Sequence, residues 1–126
     1  MKKKVYYHHT DCGGVVYYAT YLEFLEEART EFLAQKGISI PELLKAGRLF
    51  VVCHQEVDYK APASYGETLE ITTGVTEISG VRIYLEHKVI RSDHTVAVEA
   101  RTTLAYVDSA LRPRPLPADL LGKMKT

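Results

Sequence analysis

The chain has 126 residues, 46% hydrophobic and 25% charged, with sixteen basic side chains against sixteen acidic ones. That length buries enough surface for one self-sufficient domain, and a balanced charge excludes a global field that would draw it to nucleic acid or to an anionic membrane. No apolar run approaches the ~20 residues a bilayer span needs. The two cysteines, Cys12 and Cys53, follow a chain start without an apolar targeting segment. They read as free thiols in a reducing cytoplasm, not as a disulfide framework. A single domain over residues 1–126, cytoplasmic and without stable membrane insertion, is expected.

Lys2, Lys3 and Lys4 form a solvated basic end,. Residues 4–10 are β-prone and run into Asp11-Cys12-Gly13-Gly14, a cluster that breaks any regular element, so the expectation is a strand that delivers Asp11 into a glycine loop,. From Ala19 to Lys36 the apolar spacing turns helical, with Gly37 as the stop,. Tyr21, Leu22, Phe24, Leu25, Ala28, Phe32 and Leu33 fill a stripe wider than that of an ordinary surface helix, which predicts a nearly central one,. Residues 40–45, with Pro41 in the first turn, predict a short connecting helix,. Four strands follow at Leu49 to Tyr59, Thr68 to Ile78, Val81 to Arg91 and Thr95 to Val107. The short polar turns Ser79-Gly80 and Ser92-Asp93-His94 make the last three an antiparallel meander,. The proline-rich tail from Arg112 to Thr126 reads as an irregular cover ending in a weak helical turn.

These elements describe an α+β domain in which a five-stranded antiparallel sheet curls around one long central helix. Such a sheet leaves an edge and part of a face uncovered, so a homodimer is expected, with a homotetramer as the further expectation.

The most informative stretch is Tyr6 to Leu33: Tyr7, Thr10-Asp11, Gly13-Gly14-Val15-Val16-Tyr17, Tyr21, Glu26 and Ala28-Arg29, with Val57 to Gly66 as a weaker second match. It resembles the hotdog-fold acyl-CoA thioesterases of the 4-hydroxybenzoyl-CoA thioesterase family, and most of all their YbgC-like branch. The resemblance implies hydrolysis of acyl-CoA, or of acyl carrier protein thioesters, without a cofactor. It makes Asp11 the nucleophile or general base and the backbone N–H of Tyr18 the donor that polarises the carbonyl. Independently, a carboxylate followed by glycines can approach a bound substrate closely. The first N–H groups of a helix are free to bind developing negative charge. Tyr18 stands where the branch often has histidine, which puts a side-chain role there in question. Tyr7, four residues before Asp11, shares a strand face with Val5 and His9 if residues 4–10 are extended, and its hydroxyl is a candidate for orienting the carboxylate. Gly14, Val16, Tyr17, Tyr59 and Lys60 are the candidate substrate contacts. Arg82, Lys88 and Arg91 are the other cations available to CoA phosphates,.

Arg29 falls inside the apolar stripe and is expected to pair with Glu26 one turn away. His8, His9, Asp11 and Cys12 look like metal ligands on paper, yet neighbours on a strand point to opposite faces, so no metal site is expected. Two other functions stay open: a hotdog dehydratase, whose histidine near a proline-rich loop is missing here, and an acyl-CoA-binding module without turnover.

Overall fold

The computed structural model describes residues 1–125. In chain order these form β1 (Lys2–Lys4), a 3-10 turn (Tyr7–His9), α1 (Thr20–Gln35), α2 (Ile40–Lys45), β2 (Arg48–Tyr59), β3 (Thr68–Ser79), β4 (Arg82–Ile90), β5 (Val96–Asp108) and α3 (Ala118–Met124). The strands make one antiparallel sheet in the order β1-β3-β4-β5-β2. The expected meander is therefore its centre, and β2 folds back to pair with β5. Register shifts at Val52/His54, Val75/Glu77 and Val89/Ile90 mark bulges, which bend strands and raise their twist. The bent sheet curls around α1.

One expectation fails at the start of the chain. Only Lys2–Lys4 is strand, and Tyr7–His9 winds into a 3-10 turn. The reason is local: His9 Nδ1 accepts the Tyr6 N–H at 3.0 Å, and the His9 and Thr10 amides donate to Tyr6 O and Tyr7 O, both at 3.1 Å. Side-chain bonding of this kind offers the backbone an alternative to the ladder, and aromatic β-propensity alone is too weak to oppose it. The turn destroys the alternation, so Tyr7 points outward while Val5 and His9 are buried. It also brings the rings of His8 and His9 to 4.0 Å from each other instead of onto opposite faces. Burial lowers the His9 pKa from its ordinary value, His8 and Lys3 adding to the effect.

α1 ends at the predicted glycine: Gly37 takes φ +82°, a left-handed C-cap conformation that costs a glycine little,. Its Tyr21, Phe24, Leu25 and Ala28 pack on Leu69, Ile71, Val89, Val98 and Ala100 in one apolar cluster. Further along, Leu33 packs on Ile83, Leu85, Leu104 and Tyr106 in a second cluster, closed by Leu116, Leu120 and Met124 of the tail. Burying one such side chain is worth about 1.5–3 kcal/mol. The tail is thus core, and Thr126 at its end lies outside the described residues.

Pairing registers align the inward side chains in rows across the sheet,. The first row is Tyr59, Val98, Val89 and Ile71; the second is Val57, Ala100, His87 and Thr73; the third is Gln55, Thr102, Leu85 and Val75. Polar side chains concentrate in the second and third rows, between the two apolar clusters. There His87 is 2% exposed with Nδ1 at 3.1 Å from Thr73 Oγ1, and Nε2 finds no partner among the described residues. Desolvation, with Arg29 nearby, lowers the His87 pKa to about 4. Arg29 does not form the expected pair: Glu26 is exposed and accepts a bond from Thr30 Oγ1 at 3.0 Å instead. Arg29 itself is half-buried, and burial lowers its pKa with Glu26 opposing.

No described helix is long and apolar enough to cross a membrane.

Candidate active site

The loop after the 3-10 turn is held by main-chain bonds at each end. Asp11 N–H donates to Val15 O at 2.9 Å and Gly14 N–H to Asp11 O at 3.1 Å; beyond them Val16 N–H donates to Ala63 O at 2.8 Å and Tyr17 N–H to His9 O at 2.9 Å. Gly14 sits at φ +78°, where a Cβ would be strained,. Asp11 is exposed, and its Oδ1 accepts the Gly13 N–H at 2.8 Å. A Cβ on residue 13 would lie 3.2 Å from that oxygen, so the glycine is what lets the carboxylate fold back and hold its orientation. The second oxygen, Oδ2, makes no hydrogen bond among the described residues.

Tyr17 and Tyr18 carry the chain into α1, whose N-cap Ala19 supplies no side-chain acceptor. Thr20 N–H donates to Tyr17 O at 2.9 Å, whereas the N–H of Tyr18 has no acceptor among the described residues. An unpaired amide at a helix entrance is a ready donor to negative charge. From the sheet, Tyr59 Oη donates to Tyr18 O at 3.0 Å, and the Tyr59 ring meets Tyr18 edge-on at 6.3 Å and Tyr21 at 5.8 Å. Burial raises the pKa of the Tyr59 phenol, with Tyr18 adding to it. At Tyr17 the hydrogen-bonded Tyr18 hydroxyl does the same.

Asp11, Val16, Tyr17, Tyr18, Tyr59 and Lys60 together line one open cleft of about 400 Å³. Of the other residues singled out in the sequence, Gly14 shapes the turn without lining the cleft. Tyr7 is 77% exposed with its ring against Tyr65 at 5.8 Å, outside the wall. Val15, Tyr21, Ala61 and Pro62 complete the lining. Tyr21 reads as core from its helical spacing, and it is 3% exposed; Val15 reaches the wall through an isolated bridge to Ser64 that no local pattern announces. Lys60 Nζ lies 3.7 Å from Glu99, and Arg91 lies 3.4 Å from both Glu67 and Asp93, so each of these cations already has a carboxylate beside it. Among the described residues no group of three or more His, Cys, Asp or Glu side chains is arranged to hold a metal ion.

Residues 5–124 match the thioesterase-like superfamily. The chain is 37% identical over 123 residues to the acyl-CoA thioester hydrolase YbgC of Escherichia coli, covering 97% of this chain and 92% of that protein. It is 37% identical to the acyl-CoA thioesterase YbgC of Haemophilus influenzae over 97% of this chain and 81% of the relative. Among solved structures, a probable thioesterase from Bartonella henselae superposes with a TM-score of 0.87 at 34% identity, over 93% of this chain and 97% of that one. The curled sheet around α1, the cleft at its entrance and these likenesses converge: the chain belongs to the thioesterase-like superfamily and has the hotdog thioesterase fold, beside the acyl-CoA thioesterases of the YbgC type.

Proposed function

We propose that the protein hydrolyses the thioester of acyl-CoA, or of an acyl carrier protein, to a free acid and a thiol. The observation that carries this is the convergence, in one cleft, of the Asp11 carboxylate with the entrance to α1, where the Tyr18 amide is unpaired. In the general-base route Asp11 takes a proton from water as the water oxygen bonds to the carbonyl carbon. The oxygen that becomes negative is received by the Tyr18 N–H. Collapse then breaks the carbon–sulfur bond, and the thiolate leaves and is protonated. In the nucleophilic route Asp11 itself bonds to the carbonyl carbon, expels the thiolate, and water later cleaves the mixed anhydride. Capture of the acyl-enzyme, or entry of solvent oxygen into Asp11, separates the two. A backbone donor of this kind is worth about 3–4 kcal/mol to the transition state.

Val16, Tyr17, Tyr59 and Lys60, which line the cleft beside Asp11, hold the substrate around the thioester in this reading. Tyr7 has no part in this reading. In this reading the whole chain works as one cytoplasmic unit, and in at least a homodimer, which is supported by the 12-residue edge that β2 presents without a neighbour among the described strands. The test is thiol release from acyl-CoA read with Ellman's reagent. Asp11→Asn is expected to lower kcat by at least about a hundredfold, the size of a lost acid-base or nucleophilic group, with KM little changed. Near-normal turnover in that variant rejects the assignment, and absence of release by the wild type with every acyl group favours a binding module.

A further inference from the structure

We propose that Arg91 and Glu67 are positioning residues for the reaction: the pair braces the loop from Ala61 to Gly66, which supplies part of the cleft wall, and through it fixes the loop that carries Asp11. The inference rests on the thioesterase reading and deepens it. The loop starts well held, since the N–H groups of Lys60 and Ala61 both donate to Ala97 O, at 2.8 and 3.1 Å. Pro62 comes next, in the cleft wall, and it has no N–H to give, so its carbonyl is the only main-chain group left to tie it. Among the described residues no main-chain donor reaches that oxygen, and no main-chain acceptor reaches the Ser64 N–H. Side chains satisfy both. Arg91 Nη1 donates to Pro62 O at 3.0 Å, and Glu67 Oε2 accepts the Ser64 N–H at 2.6 Å.

The ion pair joins these contacts into one unit. Glu67 Oε1 lies 3.4 Å from Arg91 Nε, with the two side chains 19% and 28% exposed. That Nε is buried and has no hydrogen-bond partner among the described residues, so the carboxylate is what compensates it, and a shielded charge is costly to leave alone. Arg91 stands on a firm base: its N–H donates to Thr95 O at 2.8 Å, and its carbonyl accepts the His94 N–H at 2.9 Å. The braced loop is in turn stitched to the Asp11 segment. Val16 N–H donates to Ala63 O at 2.8 Å, Tyr65 N–H to Gly14 O at 3.2 Å, and Asp11 N–H to Val15 O at 2.9 Å. A shift of the braced loop therefore shifts the support of Asp11, and a misplacement of about 1 Å can cost on the order of a hundredfold in rate. Asp93, 3.4 Å from Arg91 Nη2, gives the guanidinium a second carboxylate. Arg91 with its two partners carries net negative charge, which suits a brace and not a seat for a CoA phosphate.

The experiment is steady-state hydrolysis of butyryl-CoA, read by thiol release, with the wild type, Arg91→Gln, Glu67→Gln, the double variant and Asp93→Asn. Hydrogen exchange of the Val16 and Tyr65 amides is followed on the same proteins. Arg91→Gln and Glu67→Gln are each expected to lower kcat at least about tenfold with KM within about twofold, and the double variant to lose no more than the worse single one, as parts of one unit do. Exchange at Val16 and Tyr65 should quicken at least tenfold. Asp93→Asn keeps the bond to the Thr95 N–H and should leave kcat unchanged. Glu67→Gln still accepts the Ser64 N–H and serves if Arg91→Gln does not fold, as judged by its thermal unfolding. Unchanged kcat or unchanged exchange in the folded variants overturns the brace and leaves the hydrolase reading standing. A raised KM at constant kcat overturns it too, making Arg91 a substrate contact. No thiol release by the wild type overturns both readings.

Discussion

Tyr18 offers the cleft two different things, an amide that any residue but proline would supply and a ring that only some would. Tyr18→Phe keeps the unpaired N–H and should hold kcat within about threefold. Tyr59→Phe loses the bond from Oη to Tyr18 O, whose net worth of about 0.5–1.5 kcal/mol corresponds to a two- to tenfold fall in kcat if that bond fixes the amide. The retained ring should keep KM near the wild-type value, so steady-state kinetics on the pair distinguish a held backbone from a hydroxyl that acts on substrate. That Asp11 would stand in a glycine loop was legible in the sequence, and the Asx bond to Gly13 shows what those glycines allow; its catalytic role came from the family resemblance and is what Asp11→Asn tests. Tyr7 was misread because its reading depended on strand alternation, and one imidazole nitrogen accepting a backbone amide replaced that alternation with a turn. Val15, meeting Ser64 from far along the chain, lay beyond any local signal.

The elements most readable in the sequence were those with a long period or a clear break. α1 and its glycine stop, α2 and the β3-β4-β5 meander all stand where spacing and turn residues put them. The placement of β2 beside β5 was not readable, since nothing local states which strand will pair across a connection of this length. That placement leaves β2 outermost, with Val52 45% exposed on its inward side. Unpaired strand edges are templates for further strands, so a second copy should add along β2. Light scattering coupled to size exclusion should report two copies or a multiple of two, and Val52→Glu, which sets a charge in that contact, should weaken association at least tenfold. A wild-type monomer at micromolar concentration would remove this use of the edge.

Across the whole molecule, two apolar clusters are separated by a belt of polar groups, and the belt gives stability a pH dependence of definite sign. His87 titrates near 4 in the folded protein against 6.5 for an ordinary histidine. Between those values the unfolded chain binds a proton that the folded one refuses, so stability falls as pH drops from about 6.5 to 4 and this contribution levels off below. The full effect is on the order of 3 kcal/mol. His87→Leu should shrink the loss between pH 7 and 4.5 by about 2 kcal/mol in urea unfolding, with His9, also lowered by burial, keeping part of the slope,. An unchanged slope would mean that the ring is protonated in the native state. The outward face of the sheet is different in kind: Arg101 to Glu56 at 2.7 Å and Lys60 to Glu99 at 3.7 Å are exposed pairs that contribute little energy and keep that surface wet,. The two borders of the sheet are also unequal, twelve residues in β2 against three in β1, where the terminal ammonium is already spent on Ile71 O at 2.9 Å. If two molecules join along their long borders, only the stubs are left for edge pairing, too short to template a third strand, so any larger assembly has to form through faces and a fibre has no edge to grow from.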